Sequence, residues 1–238
     1  MKEKKQVKAT FKPFLLKPKT KNQKILLHSL QQSDIPLVIA EGYAGTGKTL
    51  TAVNWAAHEV ENGNKYKNIV LIRPPEPLAG RTVGYLKGSA NDKMMVWCSQ
   101  LTSYIKQAIG NEKYEELCLS ENIQIQLLES IRGMSYSNSI VIVDESQLLT
   151  PKEIQAIVTR IGSDSKLIFC GDTLQTDIKK NTIDGLSYLK RIVEKYDIPC
   201  EVIKFTIDDC LRSDLCKKFL DAFEKEGWDN YGSCNAKF

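Results

Sequence analysis

Residues 42–49 read Gly-Tyr-Ala-Gly-Thr-Gly-Lys-Thr, and few octets restrict a fold so narrowly. The spacing of two glycines, a lysine and a threonine matches G-x-x-x-x-G-K-[ST]. An apolar run at 35–40 precedes it and reads as a buried strand. Residues 48 to about 60 follow with helical patterning that ends near Gly63. A strand, a glycine loop and a helix in that order wrap backbone N–H groups and a helix N-terminus around an anion. The loop residues Gly42, Tyr43, Ala44, Gly45, Thr46 and Gly47, with Lys48, Thr49 and Leu50 opening the helix, are therefore candidates to hold a nucleotide. In that chemistry Lys48 reaches the β- and γ-phosphates and Thr49 offers a hydroxyl to Mg²⁺.

A second apolar strand, 140–143, ends in Asp144 and Glu145, 96 residues after Lys48. Strands of an open α/β sheet deliver their last residues to the ligand edge. Asp144 suits a Mg²⁺ partner there, and Glu145 suits the base that orients and activates a water. A third strand, 166–170, runs into Gly171, Asp172 and Gln175. The cluster fits either an ordinary turn or a sensor whose Gln175 amide meets the γ-phosphate or the water.

Strand patterns at 68–72, 123–128 and 201–205 complete the set, with helices at 21–32, 151–160, 183–196 and 213–225. Alternating helices and continuously apolar strands predict an α/β fold, a mostly parallel sheet with helices on both faces. Residues 74–120 break that rhythm and read as a helical insertion. The organisation expected is a basic flexible arm at 1–19, one domain at 20–226 and a tail at 227–238.

No apolar run reaches the roughly 18 residues of a membrane span, and the leading lysines have no apolar stretch behind them, so no signal peptide is read. Seven cysteines without a CxxC pair, beside only two histidines, point away from zinc and towards reduced thiols in the cytoplasm. The net charge of +4 is uneven: residues 1–24 hold nine lysines and one glutamate, a net +8, which leaves −4 over the other 214. Such an arm fits contact with a polyanion, or a solvated leader that aids solubility.

The chain resembles the PhoH-like ATPases, relatives of superfamily 1 helicases, from about residue 20 to 224. The resemblance is carried in order by Asn22-Gln23, the 42–49 loop, Arg73-Pro74 with Gly84-Tyr85-Leu86, Arg132-Gly133, Asp144-Glu145-Ser146-Gln147, Gly171-Asp172 with Gln175, and Asp209 with Arg212. It implies a RecA-like P-loop NTPase fold, ATP and Mg²⁺ as ligands, Gln23 at the adenine edge and Gln175 as sensor. Ile72, Lys87 and Met134 depart from the family's threonine, proline and arginine. They lie where helicases touch nucleic acid, so they bear on that contact more than on ATP.

A machine acting on RNA or single-stranded DNA is the leading expectation. The other is a nucleotide-dependent assembly switch in which no strand is moved. A phosphotransferase is disfavoured, because Glu145 and Gln175 are suited to placing water. Only about 60 residues follow Asp177, too few for a second RecA-like domain. An arginine, Arg212 or Arg160, is therefore expected to complete the site across a subunit interface in a homo-oligomeric ring, a hexamer by the resemblance. Tyr85 reads as packing or as a base-stacking ring, and Trp97 as core or interface.

Overall fold

The computed structural model describes residues 15–63, 65–74, 98–172 and 184–226. Six strands form one sheet: β1 (Leu37–Gly42), β2 (Asn68–Ile72), β3 (Ile123–Gln126), β4 (Ser139–Val143), β5 (Lys166–Gly171) and β6 (Cys200–Phe205). Their spatial order is β3-β2-β4-β5-β1-β6, and every pairing is parallel. The fold is α/β, as the strand–helix alternation predicts, and RecA-like, as the family resemblance implies.

Successive strand residues face opposite sides, and the two faces bury two separate cores. Val38, Ala40, Ile69, Leu71, Ile140, Ile142 and Ile168 pack with α1 (Lys21–Gln31), α2 (Lys48–Glu61), α3 (Ser99–Ile109) and α4 (Asn111–Leu119). Leu37, Ile39, Val70, Val141, Val143, Leu167 and Phe169 pack with α5 (Pro151–Val158) and α6 (Gly185–Lys195). A fully buried Val, Leu or Ile contributes about 1.5–3 kcal/mol, so burial on both faces explains why these strands read as unbroken apolar runs. α7 (Asp214–Glu226) follows β6 and buries no residue.

Local signals set the helix ends. The Thr20 hydroxyl accepts from Gln23 N at the start of α1. Thr150 and Glu153 form a capping box around Pro151 at the start of α5. Asp184 accepts from Ser187 N at the start of α6. β1 begins at Leu37 rather than 35, since Pro36 has no amide to give a ladder and only its carbonyl takes part, accepting from Leu167 N. β3 ends at Gln126, where the chain turns into a 3-10 segment at Leu128–Ile131.

Part of the stretch expected as an insertion joins the core: Leu101, Ile105, Ala108, Tyr114 and Leu117 of α3 and α4 are buried in the same cluster as α2. Its earlier part, 75–97, with Tyr85 and Trp97, lies outside the described residues. Residues 15–19, expected within the basic arm, are held against the domain. Leu16 N donates to Asn54 Oδ1 and Lys19 N to Gln23 Oε1, so 15–19 straps across α2 and α1.

Lys166 opens β5 fully buried. Its Nζ donates to the carbonyls of Leu30 at 2.7 Å, Gln32 at 2.6 Å and Ser29 at 3.1 Å, closing the C-terminal end of α1. Among the described residues no helix is long and apolar enough to cross a membrane.

Candidate active site

The carboxyl ends of β1, β4 and β5 meet the N-terminus of α2 around a cavity of about 780 Å³. The sheet order decides who meets whom: β5 lies between β1 and β4, so its last residues sit between the glycine loop and the paired carboxylates.

Gly47 adopts a left-handed conformation, φ 82°, and opens α2 with no side-chain cap. The first-turn amides of α2 are thus left for an anion. Lys48 is buried, and its Nζ donates to the carbonyls of Gly42 at 2.6 Å and Tyr43 at 2.7 Å. Burial lowers its pKa, against the opposing pull of Asp172 first and of Cys170, Glu145 and Asp144 after it. Gln23 braces the loop from α1: its Nε2 donates to Thr46 O at 2.9 Å while its Oε1 takes Lys19 N at 2.7 Å.

Thr49 Oγ1 donates to Asp144 Oδ1 at 2.7 Å. Asp144 is 4% exposed, and Asp144 N donates to Ile72 O, carrying the β2–β4 register to the strand end. That register brings Arg73 alongside. Its guanidinium lies 3.2 Å from Asp144 Oδ2 and 3.5 Å from Glu145 Oε1. Burial and the Glu145 charge push the Asp144 carboxyl up to about 6, with the Thr49 hydrogen bond and Arg73 opposing them. The hydroxyl and carboxylate are hard oxygen donors of the kind a Mg²⁺ ion takes, so the residues fit that ion.

Glu145 has φ 49° and ψ 40°, a left-handed conformation that non-glycine residues seldom hold. Its side chain is fixed by Gln147, whose Nε2 donates to Glu145 Oε2 at 2.8 Å. Gln147 Oε1 in turn accepts from Asp172 N at 2.9 Å, and Asp172 Oδ2 accepts from Ala44 N at 3.1 Å. Gly171 makes this approach feasible, since a Cβ there would come within 2.6 Å of Ser146 Oγ.

Arg212 lies over the loop of its own chain. A Cβ on Gly45 would come within 2.8 Å of Arg212 Nε, and Leu211 N donates to Gly45 O at 3.1 Å. The 3-10 turn Ile207–Asp209 and the hydrogen bond from Asn22 Nδ2 to Asp209 Oδ2 hold the segment beside the loop. Arg160, just after α5, donates to the Thr159 hydroxyl at 3.3 Å and does not line the cavity. Gln175 lies outside the described residues.

Thus Gln23, the 42–50 segment, Asp144, Glu145 and Arg212 come together at one site. The sequence reading quoted Arg73 and Gln147 only within motifs and missed what they do. Charge at the end of an apolar strand was the available signal for Arg73. Gln147 had none beyond its motif, because one of its two partners, Asp172 N, comes from the end of β5.

Known proteins carry the same pattern. The model of the PhoH-like protein family matches residues 15–224. The chain belongs to the PhoH-like family. A PhoH-like protein of Bacillus subtilis is 32% identical over 211 residues, covering 89% of this chain and 65% of the relative. Protein PhoH2 of the same organism is 34% identical over 187 residues, covering 76% of this chain and 41% of that protein. The chain therefore spans about two fifths to two thirds of these PhoH-like relatives. Among solved structures, the large terminase from a thermophilic bacteriophage superposes with a TM-score of 0.55 at 14% identity, covering 86% of this chain and 50% of that one. That likeness shows the P-loop fold. The same terminase in complex with ADP gives 0.54.

Proposed function

We propose that this PhoH-like chain binds Mg-ATP in the cavity and hydrolyses it to ADP and phosphate, and that the reaction is coupled to RNA or single-stranded DNA. The observation that carries the reading is the Thr49–Asp144 contact beside Arg73 and Glu145, at the mouth of an uncapped helix. Thr49 and Asp144 would hold the Mg²⁺ ion, which supplies positive charge against the β- and γ-phosphates when bound.

The chain's own groups do the rest. The loop amides and the α2 N-terminus receive the phosphates. Lys48 exchanges its two carbonyl acceptors for phosphate oxygens. Gln147 takes only part of the acceptor capacity of the Glu145 carboxylate, which leaves lone pairs to orient the attacking water and accept its proton. Arg212, beside Gly45 of its own chain, supplies positive charge in cis as charge develops on the γ-phosphate. Gln23 serves the adenine end of the site, and Gln175 the γ-phosphate.

Support for a nucleic-acid partner comes from the +8 carried by the first 24 residues. A cytoplasmic location, a hexameric ring and the division into an arm, one ATPase domain and a tail complete the proposal. The test is the ATPase rate of the purified protein with and without poly-U RNA or single-stranded DNA, alongside its mass in solution. Stimulation that fades with salt supports the coupling. An unchanged rate with no binding at low salt, together with a mass that rises on adding ATP, favours the assembly switch instead.

A further inference from the structure

We propose that Gln147 is a positioning residue for hydrolysis: its amide holds the Glu145 carboxylate in register with the phosphate loop, through Asp172. The inference rests on reading the cavity as an ATP-hydrolysing site.

Gln147 is 2% exposed and lies in the 3-10 turn Ser146–Leu148 that follows Glu145. Its two amide ends serve different elements. Nε2 donates to Glu145 Oε2 at 2.8 Å, and Oε1 accepts from Asp172 N at 2.9 Å at the end of β5. Asp172 then reaches the loop, where its Oδ2 accepts from Ala44 N at 3.1 Å. The turn itself is tied to β5 by Ser146 Oγ, which donates to Cys170 O at 2.9 Å. The chain of contacts therefore runs from the loop backbone, through the strand end, to the carboxylate that handles the water.

A primary amide performs both tasks. It donates to a carboxylate with one atom and accepts from an N–H with the other. An ionised carboxylate only accepts, and a thioether does neither to useful strength. β5 sits between β1 and β4, so a displacement of residue 44 is passed through Asp172 to Gln147 and on to Glu145. Glu145 gains from a second hold, since its backbone occupies the left-handed region. The amide thus makes the placement of Glu145 depend on the position of the loop.

Two variants separate this role from a merely structural one. Gln147→Met removes both hydrogen bonds. Gln147→Glu keeps an acceptor for Asp172 N and loses the donor to Glu145. The assignment predicts that both lower kcat by roughly 10–100-fold, part of what a positioned base contributes. KM, and the affinity for a fluorescent ATP analogue, should stay within about twofold of wild type. The melting temperature should fall in both variants, since Gln147→Met leaves Asp172 N without its acceptor and Gln147→Glu sets a second buried carboxylate against Glu145. A wild-type kcat in either variant, a loss seen mainly in KM or analogue affinity, or a kcat loss that simply follows the fall in melting temperature across the two variants overturns the assignment. A wild-type protein that binds the analogue yet never hydrolyses Mg-ATP overturns the hydrolytic reading and this inference together. An active wild type with undiminished variants overturns this inference alone.

Discussion

Arg73 stands against both carboxylates that close β4, with Nη1 3.2 Å from Asp144 Oδ2 and Nη2 3.5 Å from Glu145 Oε1. A planar guanidinium can serve two acids at once, and an ammonium presents one point charge. In Arg73→Ala the acids face each other without that cation. The Asp144 carboxyl, already at about 6, then moves higher. Hydrolysis at pH 7 should fall about tenfold or more and recover in part as pH rises, with Arg73→Lys in between. A pH–rate profile of the three proteins checks this; identical profiles would contradict it.

Asp144 also makes stability depend on pH. Its folded value of about 6 lies above the ordinary 3.8, so between those values the folded state binds more protons than the unfolded chain. Stability from this group is present below that window and is lost as pH rises through it. Asp144→Asn keeps an acceptor for Thr49 and removes the buried charge. The ligand-free variant should gain roughly 1–3 kcal/mol at pH 7 and little at pH 4, while hydrolysis is lost. Urea titrations at the two pH values measure the difference.

Lys166 behaves in the opposite sense. Burial lowers its pKa from 10.5 to about 8. The unfolded chain holds the proton longer, so this group adds stability as pH rises from 8 to 10.5. Near pH 7 its charge is compensated by the carbonyls of Ser29, Leu30 and Gln32 at the end of α1. Lys166→Met leaves those carbonyls buried without a donor and should cost about 1–3 kcal/mol. An unshifted denaturant midpoint would remove the capping role.

The position of Arg212 over Gly45 makes a prediction about assembly. Arg212→Ala should slow hydrolysis on the order of 10²-fold or more. Mixing it with Lys48→Ala protein should not restore activity, because each arginine serves its own loop. Restoration on mixing would show that the arginine acts on a neighbouring copy.

Much of this was legible in the sequence because the determinants are local. The 42–49 loop lies in the strand–turn–helix setting its motif demands, and apolar runs at 68–72, 140–143 and 166–170 mark strands buried on both faces. What was not legible depends on sheet order. Sequence cannot say that β5 lies between β1 and β4, so it could not pair Gln147 with Asp172 or Asp172 with Ala44. That Arg212 lies over the loop of its own chain was hidden for the same reason: it follows from β6 pairing beside β1, with Phe205 opposite Gly42. A glycine-dotted stretch makes 74–120 read as an insertion, and that the apolar face of α3 and α4 joins the α2 core depends on contacts the sequence does not show.

The central claim is that the cavity hydrolyses ATP with Glu145 placing the water. Phosphate release from Mg-ATP by wild type and by Glu145→Gln, with binding of a fluorescent ATP analogue to each, tests it most directly. The account predicts Mg²⁺-dependent release by wild type, and a variant that binds the analogue equally well yet is slowed by about 10²-fold or more. Release by Glu145→Gln at the wild-type rate, or none by a wild type that binds the analogue, would contradict it.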